Sequence, residues 1–176
     1  MVHVPILHFV AVQSEPFLLA SDDPVFIVSG LAGIIHNWSL LWRWSTISAR
    51  LKLVLKIAAG RDILFGICLA GEAVSTGVLA LGHCRYYKVS PGAVVISTIE
   101  TDPGRRGQGL AARSIMGAMN AMIAKGCTEF YIDTRSDNIA MQKVIEKLAI
   151  WQPLACETTV RSHAARTHPD DAPKTA

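Results

Sequence analysis

Three short apolar runs, DILFGICLA, STGVLALGHC and GAVVISTIE, fall between residues 62 and 100, with turn chemistry at Ala70-Gly71-Glu72 and at Ser90-Pro91-Gly92. Runs of this length, bounded by glycine, proline and serine, predict three consecutive antiparallel strands. The same segment decides how the chain's apolar excess, a mean hydropathy of +0.33, is used. FGICLAGEAVSTGVLALG at 65–82 is eighteen residues long, but Glu72 interrupts it and four glycines with Ser75 and Thr76 dilute it, which suits a hairpin and not a spanning helix. At the amino terminus no cationic residue precedes VPILHFV, and that stretch is short and carries His8, unlike a secretory signal. The expected compartment is the cytoplasm, with no stable membrane insertion.

With 176 residues and 51% hydrophobic content, the chain is long enough to bury one core of ordinary size. A single domain is expected over residues 1–160. The tail from 161, RSHAARTHPDDAPKTA, lacks apolar periodicity and is expected to be disordered. Cys68, Cys84, Cys127 and Cys156 are far apart and without C-x-x-C spacing, so buried thiols are expected and neither disulfides nor a metal site. The formal charge of +3 is scattered, with no run of like charges, and argues against nucleic acid as a partner.

HVPILHFVAV reads as a first strand, and Asp23 ahead of Pro24 as a helix start. From Asn37 to Gly60, Leu40, Leu41, Trp44, Ile47, Leu51, Val54, Leu55 and Ala58 recur at helical spacing and predict an amphipathic helix with those residues inward. Trp38, Trp42 and Trp44 near its start are read as core or rim packing. Beyond the three strands, a helix runs to about Lys125 with Leu110, Ile115, Met119, Met122 and Ile123 on one side. CTEFYIDT reads as a strand, and DNIAMQKVIEKLAI as a helix whose Met141, Val144, Ile145 and Leu148 share a face. The element order gives an α+β, three-layer fold with a mixed, mostly antiparallel central sheet and flanking helices.

Chemistry concentrates at the junction TDPGRRGQGLAARS, where the third strand turns into the helix. A glycine-rich turn that feeds a helix leaves the first-turn amides pointing outward at the positive end of the helix dipole. Gly107 and Gly109 let a ligand approach the backbone, Ala111 and Ala112 keep the first turn slim, and Arg105 and Arg106 add charge. Together these predict a site for a phosphate or diphosphate. The lysine and Ser/Thr of a P-loop are missing. Gly107 to Ala112 does fit the G-x-G-x-x-A of dinucleotide folds, so NAD stays as a lesser alternative, although ETDPGRR separates the strand from the first glycine and hairpins precede it.

Arg106-Gly107-Gln108-Gly109-Leu110-Ala111 resembles the Q/R-x-x-G-x-G/A signature of the GCN5-related N-acetyltransferase (GNAT) family, and NIAMQKVIEKLAI resembles the family's second motif, in which an asparagine opens a helix ending in E-K-L-G-F. The likeness covers roughly residues 61 to 151. It implies the acyl-CoA N-acyltransferase fold and direct transfer of an acetyl group from acetyl-CoA to a primary amine, with no metal. It also implies that amides from Arg106 through Leu110 to Ala112 hold the diphosphate, and that the pantetheine arm pairs along Ile99 to Thr101. Asn138 matches an asparagine that hydrogen-bonds the pantetheine, and a helix-cap role is equally compatible. The base is not fixed by the family. Glu100, beside the presumed thioester, is the first candidate, with Glu72 and His83 as others.

In two places the chain departs from the motif: Ile145 stands where many relatives have the tyrosine that protonates the departing thiolate, and Ala149-Ile150 replaces Gly-Phe. A noncatalytic acyl-CoA sensor is therefore the rival reading. The acceptor, a small-molecule amine or a protein amino group, is open, and a homodimer is compatible.

Overall fold

The structure, a computed structural model, describes residues 4–19, 24–41 and 47–154. Its strands are β1 (Ile6–Val12), β2 (Val25–Val28), β3 (Asp62–Leu69), β4 (Glu72–Leu81), β5 (Val94–Thr101), β6 (Glu129–Arg135) and β7 (Gln152–Pro153). The helices are α1 (Gly30–His36), α2 (Trp38–Leu41), α3 (Ile47–Ala58), α4 (Leu110–Ile123) and α5 (Ile139–Leu148). All strands join one sheet in the order β2-β3-β4-β5-β6-β1-β7. Only the β5–β6 pair is parallel; the other neighbours are antiparallel. This is the mixed, mostly antiparallel three-layer arrangement expected, and 65–82 is the β3–β4 hairpin. No helix of the described residues is long and apolar enough to cross a membrane.

The continuous apolar runs of β3 and β4 follow from burial on both faces. Ile63 and Phe65 of β3 pack with Ile115 and Met119 of α4 and with Met141 and Ile145 of α5. Leu64, one residue out of phase, packs on the opposite face with Val28, Ile34 of α1 and Leu53 and Ile57 of α3. The inward faces expected of α4 and α5 are the observed ones; α4 also buries Ala112, Ser114, Gly117 and Ala118 against the sheet.

Several expectations are corrected. The segment after Pro24 is strand β2 and not a helix: Val25-Phe26-Ile27-Val28 is β-branched or aromatic throughout, and its edge pairing with β3 outweighs the cap signal at Asp23. The helix expected over 37–60 is α2 and α3, with 42–46, including Trp42 and Trp44, outside the described residues. Trp38 is half exposed, at 48%. The inward stripe of α3 is Leu53 and Ile57 with Val54 and Ala58, whereas Ile47, Leu51 and Leu55 face solvent. Both stripes of ISARLKLVLKIA are apolar, so periodicity alone could not choose between them. Cys68, Cys84 and Cys127 are free thiols, half-buried instead of buried. The last strand is the short β7, paired with β1; residues 155–176, with Cys156 and the expected tail, lie outside the described residues.

Packing is close where the ring of Phe65 lies over Gly77, its cross-strand partner. A Cβ at Gly77 would come within 2.4 Å of the Phe65 ring, which is wholly buried and has no room to withdraw. Gly77→Ala is expected to lower stability by about 1–3 kcal/mol through overpacking. Urea unfolding checks this as a drop in midpoint at unchanged slope; an unchanged midpoint would show that the ring relaxes freely.

Candidate functional site

Strand β5 is paired with β4 near both of its ends but meets β6 only from Val94 to Ile96. Past that point the β4–β5 register jumps. Val78 pairs with Ser97 and Thr76 with Glu100, so β5 carries one residue more than its partner. The extra residue is accommodated by Thr98, which adopts a φ of 52°, in the left-handed region that non-glycine residues avoid. Just ahead of the bulge β5 leaves β6, and a cavity opens on either side.

The first cavity, about 840 Å³, runs from Ile99 and Thr101 along the junction loop to α5. Asp102 fixes the loop: its amide donates to the carbonyl of Val74 on β4 at 2.9 Å, and its carboxylate accepts from the Gly104 amide at 2.9 Å. Gly107 and Gly109 have φ values of 79° and 73°, conformations that any side chain would strain. Gly109 is the residue from which α4 starts, so the amides of Leu110, Ala111 and Ala112 have no preceding turn to bond. Their helix is tied down by a chain of hydroxyls. Ser114 lies 3.2 Å from Ser75 on β4, which lies 3.4 Å from Thr101 on β5.

Of the residues expected at a cofactor site, Ile99, Thr101, Arg105, Arg106, Gly107, Gly109, Leu110, Ala111, Ala112 and Asn138 all line this groove. Gln108 does not; its carbonyl accepts from the Arg113 guanidinium at 3.3 Å. Asn138 caps α5, its side-chain oxygen accepting from the Met141 amide at 3.2 Å. Lys143 and Lys147 were missed. They project into the groove from α5 with Ala140 and Val144, the i, i+3, i+4, i+7 spacing that could have found them. With Arg105 and Arg106 they place four cations around the start of α4, against Glu100 and Asp102. Ile145 is buried at 3% exposure in the main core and does not line the groove.

The second cavity, about 690 Å³, opens between α3 and the sheet and includes Ser97 and Thr98. Its walls were not anticipated apart from His83, because they come from α3, β3, β4, the loop after β4, β5 and β6, with no shared local pattern. The buried Asp62 lies 3.0 Å from the Lys56 ammonium and 3.8 Å from the His83 ring. Asp133, the first β6 residue past the β5 pairing, accepts from the Tyr87 hydroxyl at 2.7 Å and bonds the buried His8 ring at 2.8 Å. Burial and this carboxylate push the Tyr87 pKa up, so Tyr87 remains a neutral donor to Asp133 at any physiological pH. Among the three acid–base candidates, Glu100 is exposed on the wall of the first cavity and His83 faces the second, while Glu72 at the hairpin tip lines neither.

A strand bulge with cavities on both sides, one of them ending on free helix amides, can hold an anionic carrier on one side of the sheet and an acceptor on the other. Solved structures share this frame. An aminoglycoside N-acetyltransferase, AAC(6')-Iy, in complex with CoA superposes with a TM-score of 0.58 at 23% identity, covering 79% of this chain and 95% of that one. AAC(6')-Ih from Acinetobacter baumannii gives 0.55 at 16% identity over 76% and 95%. A GNAT-family acetyltransferase from Novosphingobium aromaticivorans gives 0.55 at 19% identity over 86% of this chain, which spans only 60% of that protein. No curated protein matches the sequence. The model of the acetyltransferase (GNAT) family matches residues 16–149, from the end of β1 through α5 and so across both cavities. The splayed β5, the glycine-capped α4 and that match together make the chain a member of the GNAT acetyltransferase family.

Proposed function

We propose that the protein is an acyl-CoA-dependent N-acetyltransferase that passes the acetyl group of acetyl-CoA directly to a primary amine. The observation that carries this reading is the pair of cavities that flank β5 at the Thr98 bulge, one of them bordered by the glycine-started α4 and four cations. The CoA complex of AAC(6')-Iy, a protein with the same fold, supports the choice of donor.

In this reading residues 1–160 act as one domain. The diphosphate lies on the amides from Arg106 to Ala112, flanked by the four cations. The pantetheine pairs with β5 at Ile99 to Thr101, edge groups left free where β6 departs, and the Asn138 amide group reaches it while its oxygen keeps the cap. The thioester then sits at the bulge. The neutral amine attacks the carbonyl carbon, a backbone N–H near Ile99 stabilises the oxyanion, the C–S bond breaks, and the amine's proton passes to a base. Glu100 is the proposed base, directly or through water.

Ile145 supplies no proton to the thiolate. A thiol with pKa of about 8.5 leaves tolerably near neutrality without a dedicated acid, so transfer proceeds with solvent as proton donor. The buried Ile145 equally favours one second reading, a sensor that binds acyl-CoA without turnover.

Acetyl-CoA at about a hundred times its dissociation constant is expected to stabilise the protein by roughly 2.7 kcal/mol. Gly109→Glu is expected to abolish that gain in thermal unfolding, because a carboxylate would stand against the helix amides and the φ of 73° would be strained. Undiminished CoA binding by the folded variant would remove the site, and stabilisation by NAD alone would remove the donor assignment.

Glu100→Gln is expected to lower turnover by about a hundredfold or more at similar CoA affinity. Near-normal turnover would clear Glu100 and direct attention to His83 or Asp133 in the second cavity. For the native chain, CoA release under saturating acetyl-CoA is expected to be measurable. If the native chain is inert and Ile145→Tyr active, the sensor reading takes its place.

A further inference from the structure

The second cavity holds an electrostatic imbalance that bears on the acceptor. Among its described walls are four lysine or arginine side chains, Lys52, Lys56, Arg61 and Arg85, against two carboxylates, Asp62 and Asp133. Both carboxylates have neighbours of their own, although Asp62 Oδ1 is buried and makes no hydrogen bond. Lys56 and His83 face Asp62, and His8 and Tyr87 hold Asp133, whose side chain is only 12% exposed. Lys52 on α3, Arg61 ahead of β3 and Arg85 beyond β4 form no ion pair with a carboxylate among the described residues. They reach the same hollow from three separate elements.

One exposed cation is an ordinary solvated charge. Three around a concavity whose wall includes Leu53, Val78 and Val95 are different, because a low-dielectric wall concentrates their field in the space between them. An acceptor that enters with several positive charges would meet four cations offset only by the largely buried Asp62 and Asp133. One that brings a negative group gains charge-assisted hydrogen bonds from arginine or lysine and leaves its amine to reach the bulge. The volume of about 690 Å³ is that of a small-molecule site.

We infer that the acceptor is a small amine carrying its own carboxylate or phosphate, with that anion held by Lys52, Arg61 and Arg85 and the amine directed at Ser97 and Thr98. The inference rests on the transferase reading and narrows it. It also separates this chain from the N-acetyltransferases that share its fold and are named for aminoglycosides.

The test is calorimetric titration of four amines into the CoA-saturated native protein: ethanolamine, β-alanine, phosphoethanolamine and spermidine. CoA release from acetyl-CoA is followed in parallel. The expected result is that β-alanine or phosphoethanolamine, whichever anion the site prefers, binds about tenfold or more tightly than ethanolamine, with spermidine weakest. Arg61→Ala/Arg85→Ala should erase that preference while CoA affinity stays the same. Equal binding of ethanolamine and both anionic amines, or preference for spermidine, would overturn the acceptor class. Release of CoA with those amines would leave the transferase reading standing. Selective binding of an anionic amine without any release would support the cavity assignment and count against turnover alone.

Discussion

The single extra residue in β5 is the constraint on which the site depends. In an unbroken ladder β5 and β6 would stay paired from end to end, and the sheet would be a closed wall between the two helical layers. Because Thr76 pairs with Glu100 while Val78 pairs with Ser97, the strand kinks at Thr98 and its edge past Ile96 is released from β6. A non-glycine residue at a φ of 52° costs of order 1 kcal/mol or more, and it persists only because the surroundings dictate it. Those surroundings are unusually firm: Val94 and Ile96 just before the bulge are fully buried, and β4 pairs with the other edge on both sides of it.

The rest of the fold fixes what stands at each side of that opening. On one side the hydroxyls of Ser75, Thr101 and Ser114 tie the first turn of α4 to β4 and β5, so its free amides have a set direction. Gly117 lets α4 sit close to the sheet edge, where a Cβ would come within 2.6 Å of Val25. The strand β2, by lying at that edge, therefore contributes to positioning a loop far from it in sequence. On the other side α3 rests through Leu53 and Ile57 on Leu64 and Val78, leaving its lysines beside the second cavity. Both cavities are rimmed by cations, but in different settings: the first adds charge to helix amides, and the second carries four cations against two largely buried carboxylates.

How much of this could be read from the sequence depended on range. The hairpins, the junction loop and the faces of α4 and α5 were legible because turn chemistry and periodicity are local, and nearly every residue expected at the phosphate end of the site lines the groove. Lys143 and Lys147 were legible in principle from their spacing on α5. The β2 strand was not, because Asp23-Pro24 is a good cap and only pairing with β3 makes the next four residues extended. The buried side of α3 was hidden by its two apolar stripes. The second cavity was hidden for a deeper reason: Asp62 and Asp133 acquire their meaning from Lys56, His83, His8 and Tyr87, and Asp133 is 125 residues from His8. Nor does sequence reveal a bulge; ISTIET looks like an uninterrupted strand until its register with β4 is known.

The central claim, that the strand edge released at Thr98 and the free amides of α4 form one continuous donor site, can be tested by amide NMR during titration with acetyl-CoA. The account requires that the amides of Ile99 and Thr101 and those of Gly107 to Ala112 shift together, along one binding isotherm, as the strand edge gains a partner and the helix amides gain an anion. Saturable binding that moves the loop amides and leaves Ile99 and Thr101 untouched, or that shifts neither group, would contradict it.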